Sequence, residues 1–375
     1  MRRIKMIKLS VIIPCYNEEK FLKKCVERVL DIEGKDLSLE VIIVDDQSTD
    51  NSVHIAKQLE NAYKKVQVIQ HHKNMGKGAA IRTGIKKVTG DFVAIQDADL
   101  EYDPKDLIKL LIPLKEGRAD VVLGSRFMSS DEHRVLYFWH SIGNKFLTFL
   151  SNMFTDLNLS DMETCYKIFR SDVIKKIDIK ENRFGFEAEI IAKISQMRLR
   201  IYEIGISYQG RTYEEGKKIG AKDALRTLYC IIKYNAHKAP VPIQFFIYIF
   251  IGGLAALFNL VVFLMLMSTF NNLFIATPIA FFSAAAVNYL LCIFILFKHK
   301  AKWNSLTEII LFIFIVCIIG IIDLLTTNYL FKIGLSAGLA KIIATGVGLI
   351  FNFLGRKYLV FPEPASGPWK KQIDN

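Results

Sequence analysis

Asp97 and Asp99, with Ala98 between them, and Glu101 just beyond place three carboxylates on one short stretch. The run Asp91–Gln96 before them reads as a buried strand, so the carboxylates occupy the turn at its carboxyl end. Hard oxygen donors on such a turn suit Mg2+ or Mn2+, with diphosphate oxygens completing the shell. Two further polar clusters end other apolar runs: Tyr16-Asn17-Glu18 and Asp45-Asp46. A dinucleotide-binding turn is disfavoured. The first strand runs into Pro14-Cys15-Tyr16-Asn17-Glu18, and Gly76-Lys77-Gly78 lacks a third glycine. No GxxxxGK[ST] motif occurs, which disfavours an NTPase. The six cysteines show neither paired nor metal-ligand spacing and read as reduced, buried thiols.

The elements that must position these groups alternate. Strands are expected over Lys8–Pro14, Glu40–Val44, Val66–Gln70, Asp91–Gln96 and Val121–Gly124. Between them lie helical patterns, as over Glu18–Leu30 and from Asn74 onward, with Asp50 or Asn51 capping one helix and Pro104 opening another. Repeated β-α units with right-handed crossovers predict an α/β domain on a mostly parallel sheet. Ligands of such sheets bind off the carboxyl ends of the strands, where the three clusters fall.

Charge divides the chain. It has 375 residues, 49 Lys+Arg and 37 Asp+Glu, and only 13 of these charges lie beyond residue 240. That split excludes a wholly soluble, a disordered or a disulfide-scaffold protein. Ile243 to Phe297 carries no charge, long enough for two spans at about 20 residues each. Four spans are expected, at about 244–267, 274–297, 309–331 and 334–354. Lys233 and Lys238 precede them, Lys298, Lys300 and Lys302 divide the middle pair, and Arg356, Lys357, Lys370 and Lys371 follow. The positive-inside rule then puts both termini in the cytoplasm. No signal peptide is read at the N-terminus, which keeps the soluble domain on the same side. Asn288-Tyr-Leu recurs as Asn352-Phe-Leu, and Asn259-Leu-Val as Asp323-Leu-Leu, each 64 residues on, which suggests a parallel repeat. Asp323 and Lys341 both fall about 12 Å from the outer interface by helical rise and are expected to pair within the membrane.

The motifs are specific in combination. PCYNE, VDDQSTD, NMGKGAAIRTG, DADLEYDP, GSRF, DMETCYKIF and GRTYEEGKK resemble glycosyltransferase family 2 with a GT-A fold. Within it the chain is similar to the polyprenyl-phosphate glycosyltransferases, of the dolichol-phosphate mannose synthase and bactoprenol glucosyltransferase kinds. The last 130 residues or so resemble the GtrA-like four-span family. The resemblance implies a GT-A domain over 1–220, a juxtamembrane amphipathic helix over 221–240, a membrane domain over 241–361 and a cytoplasmic tail over 362–375. It implies that Pro14, Tyr16, Glu18, Lys77 and Ala98 line the nucleotide, with Asp46 or Asp45 on base or ribose. Asp99 and Glu101 would hold the metal, with Asp97 close by. Arg126 would meet the lipid phosphate, with Arg134 a weaker partner. Asp161 would sit near that phosphate as a base or an orienting group. Arg211 and Lys217 or Lys218 would close over the diphosphate. The implied reaction is an inverting transfer of hexose from a nucleotide sugar to polyprenyl or dolichyl phosphate, with a lean to UDP-glucose over GDP-mannose. No nucleic-acid partner is implied.

Two helices could bring that pocket to the bilayer. In Tyr137–Thr155, Phe138, Ile142, Phe146, Phe149, Leu150 and Met153 share one face, and Ser141, Asn144, Lys145, Thr148 and Asn152 the other. Lys222–Lys238 has a similar division. Both read as interfacial helices, with core packing as the alternative. A processive polysaccharide synthase is disfavoured because no Arg-Trp pair occurs. A lipid-sugar transporter with a regulatory nucleotide domain is the rival reading. The membrane half either moves product or anchors and oligomerises the enzyme.

Overall fold

A computed structural model describes residues 6–128, 134, 135, 137–210, 220–297 and 305–361, apart from the side chains of Ala221 and of some residues in the last three helices. Arg211, Lys217 and Lys218 lie outside these residues, and so do the side chains of Asp323 and Lys341. The chain divides into two compact units, Met1–Tyr234 and Asn235–Asn375.

In the first unit the order is β1 (Ile7–Cys15), α1 (Leu22–Leu30), β2 (Leu37–Asp45), α2 (Ser52–Ala62), β3 (Val66–Gln70), α3 (Lys77–Ile85), β4 (Phe92–Ile95), α4 (Lys105–Lys115) and β5 (Val121–Ser125). There follow α5 (Phe138–Thr155), β6 (Lys167–Arg170), α6 (Ser171–Ile174), α7 (Phe186–Gln196), β7 (Ile201–Gly205) and α8 (Ala221–Asn235). The seven strands form one sheet in the order β3-β2-β1-β4-β6-β5-β7. Only β6 runs antiparallel to its neighbours. Leu9, Val11, Ile12 and Ile13 of β1 and Val41–Val44 of β2 are fully buried. Strands covered on both faces are apolar throughout rather than alternating, which makes the central strands conspicuous in the sequence. β6 and β7 are short and carry Lys167, Arg170 and Glu203, so no apolar run announces them.

The loop into α3 must pass unusually close to the segment before α7. Gly76 has φ +95°, and a Cβ there would lie 2.5 Å from the Asn182 carbonyl oxygen. A Cβ on Gly78 would press into the Glu181 carbonyl oxygen. Backbone cannot yield as a side-chain tip can, so Gly78→Ala is expected to cost about 1–3 kcal/mol, read as a lowered Tm.

α5 is amphipathic in the inverse sense of a core helix. Asn144, Leu147, Thr148, Ser151 and Thr155 are buried against the unit. Phe138, Trp139, Ile142, Phe146 and Phe149 face outward, and Trp139 is 79% exposed. α8 differs: Cys230, Ile231 and Tyr234 are buried in the core of the first unit, leaving Leu225 and Tyr229 exposed. Its Arg226, Lys233 and Tyr234 all hydrogen-bond Glu181. Those three bonds hold the Glu181 carboxyl down at about 2 against the effect of burial.

The second unit contains α9 (Val241–Phe270), α10 (Leu273–Leu291), α11 (Ser305–Lys332) and α12 (Ala337–Gly355). α10 continues into π-helix over Cys292–Phe297, and α12 does so over Arg356–Val360. The starts of these elements pair as 241 with 305, 273 with 337 and 292 with 356, always at the 64-residue offset of the sequence repeat. Among the described residues α9 is the one helix long and apolar enough to cross a membrane, with mean hydropathy 2.6. Asn271 closes it in the left-handed conformation, its N–H donating to the Met267 carbonyl.

Candidate active site

The ends of β1 and β2 are stitched together. Asn17, at φ +54°, accepts from the Thr49 N–H at 2.7 Å, and its own N–H donates to Ser48 Oγ at 3.0 Å. The Glu18 N–H donates to Ser52 Oγ. Pro14 and Glu18 are half-buried beside this seam, and Tyr16 is exposed.

The two aspartates that end β2 do different work. Asp46 accepts from the Met75 N–H (2.9 Å), the Gly76 N–H (2.6 Å) and His71 Nδ1 (2.7 Å). Its carboxylate is spent on shaping the glycine loop. Asp45 is fully buried, and its Oδ1 has no partner among the described residues. An orphaned buried carboxylate oxygen is costly unless a ligand supplies the donor. Of the pair, Asp45 is therefore the one able to receive a hydroxyl or N–H.

Lys77, at the start of α3, bridges two carboxylates. Its Nζ lies 2.9 Å from Asp97 Oδ1 and 3.2 Å from Glu187 Oε1. Burial opposes its charge, but Asp97 and then Glu187 outweigh that and raise it well above the usual lysine value. The Asp97–Glu101 turn contains Leu100 in the left-handed region, φ +41°. Strain of this kind gathers where side-chain direction matters. Asp99 Oδ1 accepts from the Glu101 N–H at 3.3 Å, and Glu101 Oε2 accepts from Tyr208 OH at 2.7 Å. Ala98 is buried beneath the turn. Among the described residues no three ligating side chains converge as a ready-made metal cage. With Asp97 held by Lys77, the arrangement fits the mode in which one or two carboxylates hold Mg2+ or Mn2+ and phosphate oxygens supply the rest.

Across Tyr208 from this turn lies Arg126. Its guanidinium sits over the Tyr208 ring at 5.2 Å. Nε donates to Asp161 Oδ2 at 2.7 Å, Nη2 to Oδ1 at 2.8 Å, and the Arg126 N–H to Oδ2 at 3.0 Å. Asp161 is fully buried, and Arg126 is 7% exposed. The Asp161 carboxylate thus holds Arg126 in place from both oxygens. Glu203 fixes the turn by accepting from the Ser160 and Asp161 N–H groups. Beyond Asp161 the guanidinium meets the neutral Tyr208, so the group can still donate to an anion. Arg134 donates from Nη1 to the Gly210 carbonyl at 2.9 Å.

Sequence reasoning missed the groups that join these parts. Tyr208, Glu187, Glu163, Lys167 and Glu203 belong to no motif read as chemical; DMETCYKIF contains two of them without marking either. Glu163 Oε1 and Glu187 Oε2 are buried without partners among the described residues. Burial, and then the Glu187 charge, push the Glu163 carboxyl up to about 7. Lys167 is fully buried, and burial lowers it from the usual lysine value. A carboxyl raised on folding contributes stability below the ordinary glutamate range, and that stability is lost as pH rises toward 7. Glu163→Gln is therefore expected to stabilise the unit at pH 8 by at most about 3 kcal/mol and to flatten Tm between pH 5 and 8. A wild-type Tm that does not fall over that range would contradict it.

Comparison with known proteins agrees with this geometry. Residues 10–178 match the model of Glycosyl transferase family 2, and residues 247–361 that of the GtrA/DPMS transmembrane domain. A dolichol-phosphate mannosyltransferase of Pyrococcus furiosus is 28% identical over 233 residues, which are 61% of this chain and 65% of that protein. The low-salt glycan biosynthesis hexosyltransferase Agl6 of Haloferax volcanii is 31% identical over 208 residues, 55% of this chain and 49% of that one. A UDP-N-acetylglucosamine–dolichyl-phosphate N-acetylglucosaminyltransferase of Methanococcus voltae is 29% identical over 215 residues, 53% of this chain and 84% of that one. The chain thus spans less than two thirds of the length of the first two relatives. A mixed α/β sheet, acidic strand ends and a desolvated arginine stand in the first unit, and a repeated helical hairpin in the second. Residues 10–178 are accordingly similar to the family 2 glycosyltransferases, and residues 247–361, further along the same chain, to the GtrA/DPMS transmembrane domain.

Proposed function

We propose that this chain transfers a hexose from a nucleotide sugar to the phosphate of a polyprenyl or dolichyl lipid at the cytoplasmic membrane face. The observation that carries the reading is Tyr208, which touches both Glu101 of the acidic turn and Arg126. A diphosphate-holding turn and an anion-binding arginine therefore share one site. Asp99 and Glu101 would hold a divalent ion, which stabilises the charge of the departing diphosphate. Asp45 accepts from the nucleoside, in a pocket that Pro14, Tyr16 and Glu18 border. Lys77 holds Asp97 in place beside the sugar.

Arg126 receives the lipid phosphate. A phosphate oxygen attacks the anomeric carbon, its bond to the nucleotide oxygen breaks, and the nucleoside diphosphate leaves, inverting the centre. A phosphate monoester has its second pKa near ~6 and is largely dianionic at neutral pH. No protein base is then required, in keeping with Asp161 being spent on Arg126. Asp161 is a positioning residue in this scheme.

Four spans over α9 to α12, both termini cytoplasmic, fit the basic loops. The outward aromatic face of α5 enters the bilayer surface, so the lipid phosphate stays in the membrane as it reacts. The relatives use different sugars, as their names say, so the donor is best found by screening. The full chain in detergent, with Mn2+ or Mg2+, is given polyprenyl phosphate and a panel of nucleotide sugars. One donor is expected to yield a lipid-linked sugar detectable by mass spectrometry. Hydrolysis or binding without lipid product from any donor would overturn the proposal.

A further inference from the structure

The two halves of the membrane unit differ at one consequential position. The 64-residue offset pairs Asn288 with Asn352, and Cys292 with Arg356, at the start of the two π-helical segments. Arg356 is 5% exposed. Its Nε donates to Asn352 Oδ1 at 3.0 Å, and its Nη1 to Asn288 Oδ1, so one side chain joins the equivalent asparagines of both repeats. The rings of Phe312 and Tyr248 lie 4.5 and 5.5 Å from the guanidinium carbon. None of these neighbours is an anion, and among the described residues no carboxylate pairs with Arg356.

A guanidinium in apolar surroundings without a counter-charge is costly. The arginine also consumes the oxygens of both asparagines. What remains are donors: Nη2 of Arg356 and the amide nitrogens of Asn288 and Asn352, none with an acceptor among the described residues. Donors only, around one positive charge, complement an oxyanion. π-helical turns of this kind often mark ligand sites. The same turn of α12 also borders an apolar cleft of about 360 Å3 between α11 and α12, lined by Ile315, Ile318, Ile319, Leu354, Gly355 and Tyr358. An anion site beside an apolar cleft suits an amphiphile.

We propose that Arg356, Asn288 and Asn352 form a second phosphate site, within the membrane unit, whose ligand is an isoprenoid lipid phosphate with its hydrocarbon in the cleft. This extends the proposed function, yet it stands on residues that the transfer reaction does not use. The test uses the full chain in detergent with farnesyl phosphate as probe, counted by native mass spectrometry. The background is Arg126→Ala/Asp161→Asn, which removes the other phosphate site.

One farnesyl phosphate per chain is expected in that background, and none once Asn352→Asp is added. That change gives Arg356 a carboxylate in place of the ligand, so Tm is expected to hold or rise. Ile318→Trp, which fills the cleft, is expected to weaken binding at least tenfold. Binding that survives Asn352→Asp, a background chain that binds nothing, or Ile318→Trp without effect would each overturn the proposal. Equal retention of farnesol would refute the phosphate contact, and equal competition by inorganic phosphate would refute the lipid. Absence of sugar transfer with this binding intact would sink the proposed function and leave the site standing.

Discussion

Transfer by Asp99→Ala is expected to fall by about 10²–10³-fold, the usual consequence of removing one group that stabilises charge developing on a leaving oxygen. Three observations set this size. Asp97 is already engaged by Lys77 at 2.9 Å, and Glu101 by Tyr208 at 2.7 Å. Within the turn, Asp99 Oδ1 accepts from the Glu101 N–H at 3.3 Å. It is also half-buried rather than part of the core, so the loss should appear in turnover with little change in Tm. Raising Mn2+ should recover part of the activity if the remaining carboxylates still bind weakly. Glu101→Gln, which keeps one oxygen acceptor, is expected to lose less than Asp99→Ala. Near-normal transfer by Asp99→Ala with metal present would remove this turn from the reaction.

Arg126→Ala is expected to damage both stability and transfer. It leaves Asp161, fully buried, without the guanidinium that donates to both its oxygens. Breaking a buried ion pair from one side typically costs about 3–5 kcal/mol, because the surviving charge stays desolvated. Arg126→Lys should rescue little, since an ammonium cannot reproduce the two-pronged contact. Arg126→Ala/Asp161→Asn removes the stranded charge, so Tm should recover most of the loss while transfer does not. That separation distinguishes the scaffold role from phosphate binding. Asp161→Asn alone, if the aspartate only positions Arg126, should raise KM for the lipid phosphate and leave the pH profile of kcat in place. A kcat profile that loses its acidic limb would instead make Asp161 a proton acceptor.

β1, β2, β4 and β5 were legible as apolar runs buried within the sheet, and β3, the edge strand with Gln67 and Gln70 exposed, by its alternation. The acidic turns were legible because they end those runs. The 64-residue repeat was legible as well, and the starts of the paired elements of the second unit keep it. β6 and β7 were not, since a buried Lys167 and a half-buried Glu203 interrupt their apolar pattern. α5 shows a different limit. Its two faces could be read from spacing alone, but not which one the protein would cover. Asn144, Thr148, Ser151 and Thr155 turned out to face inward and the aromatics outward.

By itself the sequence determined the α/β class, the membrane half, the positions of the acidic turns and the family resemblance. These rest on periodicity, composition and short motifs, which are properties of neighbouring residues. Only the tertiary structure decided what each charge does. Lys77 meets Glu187, Tyr208 meets Glu101 and Arg126 meets Asp161 across 110, 107 and 35 residues. Such pairings follow from strand order and loop closure, and no local pattern encodes them. The same contacts divide Asp46, which shapes a loop, from Asp45, whose oxygen is left for a ligand. Whether a carboxylate does chemistry or scaffolding depends on which donors burial brings to it, and burial belongs to the folded chain as a whole.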